Sequence, residues 1–148
     1  MSVPETGRHR LPLLAIAQAS KELTHNEALA RLDALVHPVC VDQVNIPPEP
    51  GNSDIGKCWL IGASPLAEWV GKSGQIAYWI GGGWRYLVPV EGMRSRILPT
   101  GLDAVFSDGQ WHFPPAIVDP TAGAVIDMQA RTAITTLLSY FRMIGLVT

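Results

Sequence analysis

Few side chains in this chain could do chemistry, and they are scattered. Cys40 and Cys58, with His37 and His112, supply atom types that bind zinc. The spacing His37-x2-Cys40 matches no common zinc pattern, so both thiols read as small apolar residues and no metal or cofactor is expected. His25 with Glu27 or Asp33 could form an acid–base pair. They fall in the first turn and on the outer face of a predicted helix, where a surface or interface role is the ordinary one. Asp54, Glu68, Glu91, Asp103 and Asp108 lie mostly at turns, and nothing sets two of them across a cleft as glycoside hydrolysis requires. Gly81-Gly82-Gly83 separates two predicted strands instead of opening a helix, so it is no phosphate loop. A Gly-x-Ser-x-Gly elbow is missing as well. These residues do not describe an enzyme.

The aromatics are the richer signal. Trp59, Trp69, Trp79, Trp84 and Trp111 share one short region with Tyr78 and Tyr86. They can form the core of a thin sheet, or present ring faces to a sugar or another amphipathic partner. For the second role the candidates are Trp69, Trp84, Arg85, Trp111 and His112, which stand close to turns. Regular strands would put Arg85 and His112 on the sheet face opposite Trp84 and Trp111.

The elements that must position these residues can be read in order. Residues 1–10 look like a loose tail, and Leu11 to Glu22 could be extended or loosely helical. Thr24-His25-Asn26-Glu27 reads as a capping box that starts a helix running to about His37, where Pro38 stops it. Leu29, Leu32, Leu35 and Val36 form its apolar stripe. Asn45 to Gly51 is a proline-rich linker. Beyond it the pattern alternates, predicting strands at 58–61, 75–80, 84–90, 96–98, 104–107 and 110–113.

Two stretches form a weak repeat: Trp79 to Tyr86 can be laid on Phe106 to Phe113. Asp108-Gly109 predicts a type I′ hairpin turn, and Gly81-Gly82 takes its place in the first copy. Two-residue turns then set Trp79 opposite Trp84 and Phe106 opposite Trp111. Asp119 to Gly123 reads as a second linker. The last helix has Asp127 as its N-cap, Ala130, Ile134, Leu137, Phe141 and Ile144 on one stripe, and Gly145 as its C-terminal cap.

Composition bounds the rest. Hydrophobic residues make up 47% of 148 residues and charged residues 16%, enough for a core but with little polar surface to spare. The net charge is −2 with the cations dispersed, which argues against nucleic acid. No leader reads at the N-terminus, and Arg131 and Arg142 exclude a membrane span at the C-terminus, so synthesis in the cytoplasm is expected. With two cysteines and no disulfide framework, a reducing compartment is the simpler reading. The fold expected is α+β, a small antiparallel sheet or barrel of short hairpins flanked by an N-terminal and a C-terminal helix. Residues 1–44 would be an arm and assembly helix, 45–118 the Trp-rich β domain and 119–148 an oligomerisation helix.

The run Leu11-Pro12-Leu13-Leu14, continuing through Gln18 to Leu29 and on to Val36, has a counterpart elsewhere. It resembles the opening of a domain family of unassigned function found in phages, prophages and gene transfer agents of alphaproteobacteria. Trp59-Leu60-Ile61-Gly62, Gly74-Gln75-Ile76-Ala77-Tyr78-Trp79 and Gly82-Gly83-Trp84-Arg85 leading to Pro89-x-Glu91-Gly92 extend the likeness to about residue 113. The resemblance implies a virion component, a tail-fibre or head-spike-type appendage, and brings no catalytic residues with it. A homo-oligomer is expected, a trimer first and a pentamer at a capsid vertex, joined through Leu29, Leu32, Leu35, Val36, Ile134, Leu137, Phe141 and Ile144. Its partners would be other virion proteins and a host surface glycan. The alternative is a carbohydrate-binding module for capsule or lipopolysaccharide.

Overall fold

The computed structural model describes residues 4–15, 21–121 and 127–148. Helix α1 spans Lys21–Leu35, and seven strands follow: β1 Val39–Val44, β2 Cys58–Ile61, β3 Ile76–Trp79, β4 Trp84–Leu87, β5 Arg94–Ile97, β6 Leu102–Ser107 and β7 Gln110–His112. Helix α2, Met128–Met143, closes the chain. The strands form one sheet in the order β4-β3-β2-β1-β5-β6-β7. This is the α+β class expected, a mostly antiparallel sheet with a helix at each end of the chain.

The hairpins form where turn chemistry dictates. Trp79 pairs with Trp84, and Phe106 with Trp111. Asp108 and Gly109 both take positive φ, 51° and 77°, as a type I′ turn requires. The first copy differs: Gly81 has φ 86° but Gly82 is not in the positive region, so this turn does not repeat the I′ geometry.

Strand β1 is the element that the alternation of the sequence did not disclose. It lies at the centre of the sheet, parallel to both β2 and β5. Each neighbour opens a three-stranded antiparallel meander, β2-β3-β4 on one side and β5-β6-β7 on the other. Residues 45–57 are therefore a crossover inside the sheet, and a division at 44/45 would cut between hydrogen-bonded strands. Val39-Cys40-Val41 is short and β-branched, a pattern that suits a buried central strand as well as a loop.

Helix α1 also departs from expectation. It contains Thr24 instead of being capped by it, and Thr24 Oγ1 donates back to the Lys21 carbonyl at 3.3 Å. Asn26 instead clamps the preceding segment, accepting from the Leu14 amide at 2.9 Å and donating to the Leu14 carbonyl at 3.0 Å. Thr24→Ala is accordingly expected to change stability by no more than about 0.5 kcal/mol in chemical denaturation. A loss of a full capping interaction, about 1 kcal/mol, would restore the capping box.

Residues 4–14 are not a loose tail. Glu5 and Pro12 form an antiparallel bridge, and the arm is fastened to α1. Asp33, 3% exposed, accepts from the amides of Arg8 at 2.8 Å and His9 at 2.7 Å. The Arg8 guanidinium donates to the carbonyls of Asp33, Ala34, Val36 and His37. The last turn of α1 holds an acid and no base of its own, so the arm supplies the cation its carbonyls attract. Ile16 to Ser20, part of the stretch read as extended or loosely helical, lie outside the described residues, as do Ala122 and Gly123 of the second linker.

Two clusters make the core. On the α1 side, Ala34 and Ala30 pack on Cys40, Cys58, Leu60, Ile76, Tyr78, Leu87 and Ile97. On the other, Trp59, Ile61, Trp69 and Ala77 are buried beside Trp79, Trp84 and Tyr86.

Candidate functional site

The tryptophans divide between the two core clusters, four in one and Trp111 at the edge of the other. Trp84 stands edge-on to Trp59, Trp69 and Trp79, each with ring centres 5.2 Å away. Trp69 is fully buried, so it offers no face to a ligand and leaves the set of candidate contacts. The loop between β2 and β3 carries it inward on a short 3-10 turn, Ala67–Trp69, whose Trp69 amide donates to Leu66. Asn45 latches that loop: its carbonyl accepts from the Leu66 amide and its side chain from the Ser64 amide. Lys72 then lies over the Tyr86 ring, 4.7 Å from the centroid. Trp84 is half-buried in this cluster and serves first as its centre.

Arg85 projects to the other face, as strand alternation demands, and pairs with Glu27 of α1 at 3.0 Å. Glu27 also accepts from Arg31 at 3.2 Å. Burial pushes the Glu27 carboxyl up, but hydrogen bonds from Arg85 and Arg31 outweigh it and hold it below its ordinary value of 4.5. A depressed carboxyl contributes stability above the unfolded pKa and loses it as pH falls through the folded one. The three side chains keep substantial exposure, so Glu27→Gln is expected to cost less than about 1 kcal/mol at neutral pH. The difference from the parent should vanish in denaturation curves taken well below pH 4.5. A penalty that persists there would assign Glu27 a role independent of its charge.

Cys40 and Cys58 are buried neighbours across β1 and β2, both free. Burial raises them to about 11 and about 12, so both are thiols at neutral pH. Cys40 Sγ is 3.3 Å from Ser95 Oγ. Among the described residues no three His, Cys, Asp or Glu side chains gather as a metal site would need.

Trp111 stands apart from the tryptophan cluster: it is partly buried, packs against the core cluster that holds Leu60, Ile76 and Leu87, and also lines a groove. The sheet curls so that β7 reaches the start of β3, and Trp111 Nε1 donates to the Gly74 carbonyl at 2.8 Å. Phe106 stands edge-on to it at 5.4 Å. Together with Gln43, Ser73, Gln75 and Gln110 they line a groove of about 360 Å³. His112 is exposed, with its ring near the Ser107 carbonyl, and does not line the groove. Of the five residues singled out from sequence, Trp111 alone lies here. The glutamines went unread because they come from β1, the β2–β3 loop and β7, and no local spacing connects them.

A family model described as a protein of unknown function, DUF2793, matches residues 25–112. The chain belongs to the DUF2793 family. The matched region begins within α1 and ends on the last residue of β7, so it contains the whole sheet and every residue of the groove. The N-terminal arm and α2 lie outside it. No curated protein matches the chain.

The helices carry a second feature. Ala30 and Ala34 let α1 approach the sheet closely, and Leu32, Leu35 and Val36 point away, 51%, 42% and 46% exposed. Leu29 is half-buried. Helix α2 is capped by Asp127, whose carboxylate accepts from the Gln129 and Ala130 amides. Gly145, at φ 77°, reverses the chain, and the Leu146 amide returns to the Phe141 carbonyl at 2.9 Å. The C-terminal end docks on the β5–β6 meander through Arg96 to the Ile144 carbonyl and the Asp103 amide to the Gly145 carbonyl. Leu138 is the one buried residue of the helix. Ile134 and Leu137 are exposed, Phe141 is partly so, and Ile144 is half-buried.

Among the described residues no helix is long and apolar enough to cross a membrane.

Proposed function

We propose that this DUF2793 chain is a structural component of a phage-like particle, an appendage or adaptor subunit that assembles with its own copies and meets the host envelope. It acts by binding and not by catalysis. The observation that carries this reading is the outward apolar face of α2, with an exposed apolar patch at the end of α1. Ile134, Leu137 and Phe141 on α2 are spaced as an interface stripe yet face solvent in the single chain, and Leu32 and Leu35 at the end of α1, with Val36 just after it, form a small exposed apolar patch. Isolated exposed leucines are ordinary, but a helical stripe on α2 together with an apolar patch at the end of α1 is surface that a second copy would bury. Symmetric copies repeat the same stripe, so one sequence feature serves every subunit. The paired or buried state of Glu27, Asp33, Asp54, Asp103 and Asp119 supports the non-catalytic part, since each already holds a partner inside the fold.

Light scattering at micromolar concentration is expected to give a trimer mass, or a pentamer mass for a vertex protein. Leu32→Glu with Leu137→Glu should reduce it to the monomer while circular dichroism stays unchanged. A monomeric parent overturns the assembly reading. Mass spectrometry of particles purified from a producing culture should find the chain in fixed ratio to the capsid protein, and its absence removes the virion assignment.

A further inference from the structure

The groove beside Trp111 goes beyond assembly, and its chemistry is specific. None of its lining residues is charged, which disfavours phosphates, nucleic acids and acidic or basic peptides. Its polar side chains are the Ser73 hydroxyl and three primary amides, Gln43, Gln75 and Gln110, and those amides make no hydrogen bond within the described residues. Each offers both donors and an acceptor, the complement of a hydroxyl, which also does both. Ser73 Oγ donates to the Gly62 carbonyl at 3.2 Å and keeps its lone pairs for a ligand.

Trp111, partly buried against the core, adds the fixed aromatic surface that its remaining exposed part presents to the groove. Its indole is held by the Gly74 carbonyl and by the edge contact with Phe106, so it needs no ordering on binding. The negative face of an aromatic ring attracts the polarised C–H side of a sugar. The same hydrogen bond separates this groove from one that reads proline-rich peptides. Such peptides present carbonyl acceptors to aromatic-lined grooves. Here the indole N–H that would meet a carbonyl is already taken by Gly74. At about 360 Å³ the groove is of the size that small-molecule sites have.

We infer that this groove binds a neutral saccharide, with Trp111 as the stacking platform and Gln43, Gln75 and Gln110 as the hydroxyl readers. Of the five contacts anticipated from sequence, Trp69, Trp84, Arg85, Trp111 and His112, this site keeps Trp111 alone, and the Trp84 ring is committed to the tryptophan cluster.

The test is a titration of the full chain followed by two-dimensional NMR of indole and side-chain amide N–H groups. The probes are maltotriose and tri-N-acetylchitotriose, with a proline-rich decapeptide and inorganic phosphate as contrasts. A saturable shift of the Trp111 indole and the three glutamine amides with a trisaccharide, at dissociation constants up to about 10 mM, is the expected result. Gln75→Ala and Gln110→Ala should each weaken it about tenfold while the spectrum of the tryptophan cluster is preserved. Trp111→Phe should do the same, and the glutamine variants keep the test open if that variant misfolds. Silence toward both trisaccharides overturns the proposal. So does a shift caused only by the peptide or by phosphate, or a sugar-induced shift confined to Trp84 and its neighbours. None of these outcomes alters the oligomer mass, so assembly and sugar binding fail separately.

Discussion

Replacing Trp84 by alanine is expected to destabilise the fold by about 3–5 kcal/mol, a large part of the stability of a domain this size. The ring is the shared neighbour of Trp59, Trp69 and Trp79, so its removal breaks three edge-on contacts together. Each such pair adds about 0.5–1.5 kcal/mol beyond the area it buries. Trp69 and Trp59 are held by the β2–β3 loop and by β2 and cannot both move into the space left. Chemical denaturation of Trp84→Ala and Trp84→Phe measures the difference. The phenylalanine variant keeps a ring and should recover half or more of the loss. Trp69→Phe sharpens the test. The Trp69 indole N–H is buried without a hydrogen-bond partner among the described residues, so deleting it removes an unmet donor along with some packing. That variant should fall much closer to the parent than Trp69→Ala. A Trp84→Ala protein as stable as the parent would mean that the cluster is a surface feature and would return Trp84 to the candidate contacts.

Asp33→Ala is the second substitution with a large expected effect, about 2–4 kcal/mol. Its carboxylate is buried and accepts the Arg8 and His9 amides, both from a segment more than twenty residues distant in sequence. Without it the arm loses its two shortest ties to α1, and the Arg8 guanidinium loses the backbone placement that brings it to the helix carbonyls. The effect should be local before it is global. Trypsin should cleave after Arg8 and Arg10 far sooner in the variant, ahead of any cut within the sheet. Asp33→Asn keeps one acceptor oxygen without the charge and should lie between the two. Equal cleavage rates in parent and Asp33→Ala would show that the arm is held by its own bridge, Glu5 with Pro12, and not by the carboxylate.

The elements legible in the sequence are those that turn or cap chemistry fixes over a few residues. Asp108-Gly109 is one: positive φ at both positions leaves one short hairpin available, and that hairpin sets Phe106 against Trp111. Asp127 is another, since its carboxylate reaches amides two and three residues ahead. Gly145 is a third. The sequence by itself thus determined six strands, the pairing within both hairpins, and α2 with its two ends.

Only the tertiary structure decided the rest. It placed β1 between two parallel neighbours, and parallel pairing needs a crossover that no turn residue announces. The direction α1 faces was also settled there. Thr24-His25-Asn26-Glu27 has the residues of a capping box, but Asn26 and Glu27 are engaged by Leu14 and Arg85, 12 and 58 residues away in sequence. Ala30 and Ala34, not the leucines, meet the sheet, because a close approach over Cys40 and Cys58 admits only small side chains. The groove follows the same rule. Trp111, Gly74 and the three glutamines come together because a curled sheet brings its last strand over the start of β3. Contacts of that separation are fixed by which surfaces fit and exclude water, and this information is distributed over the whole chain.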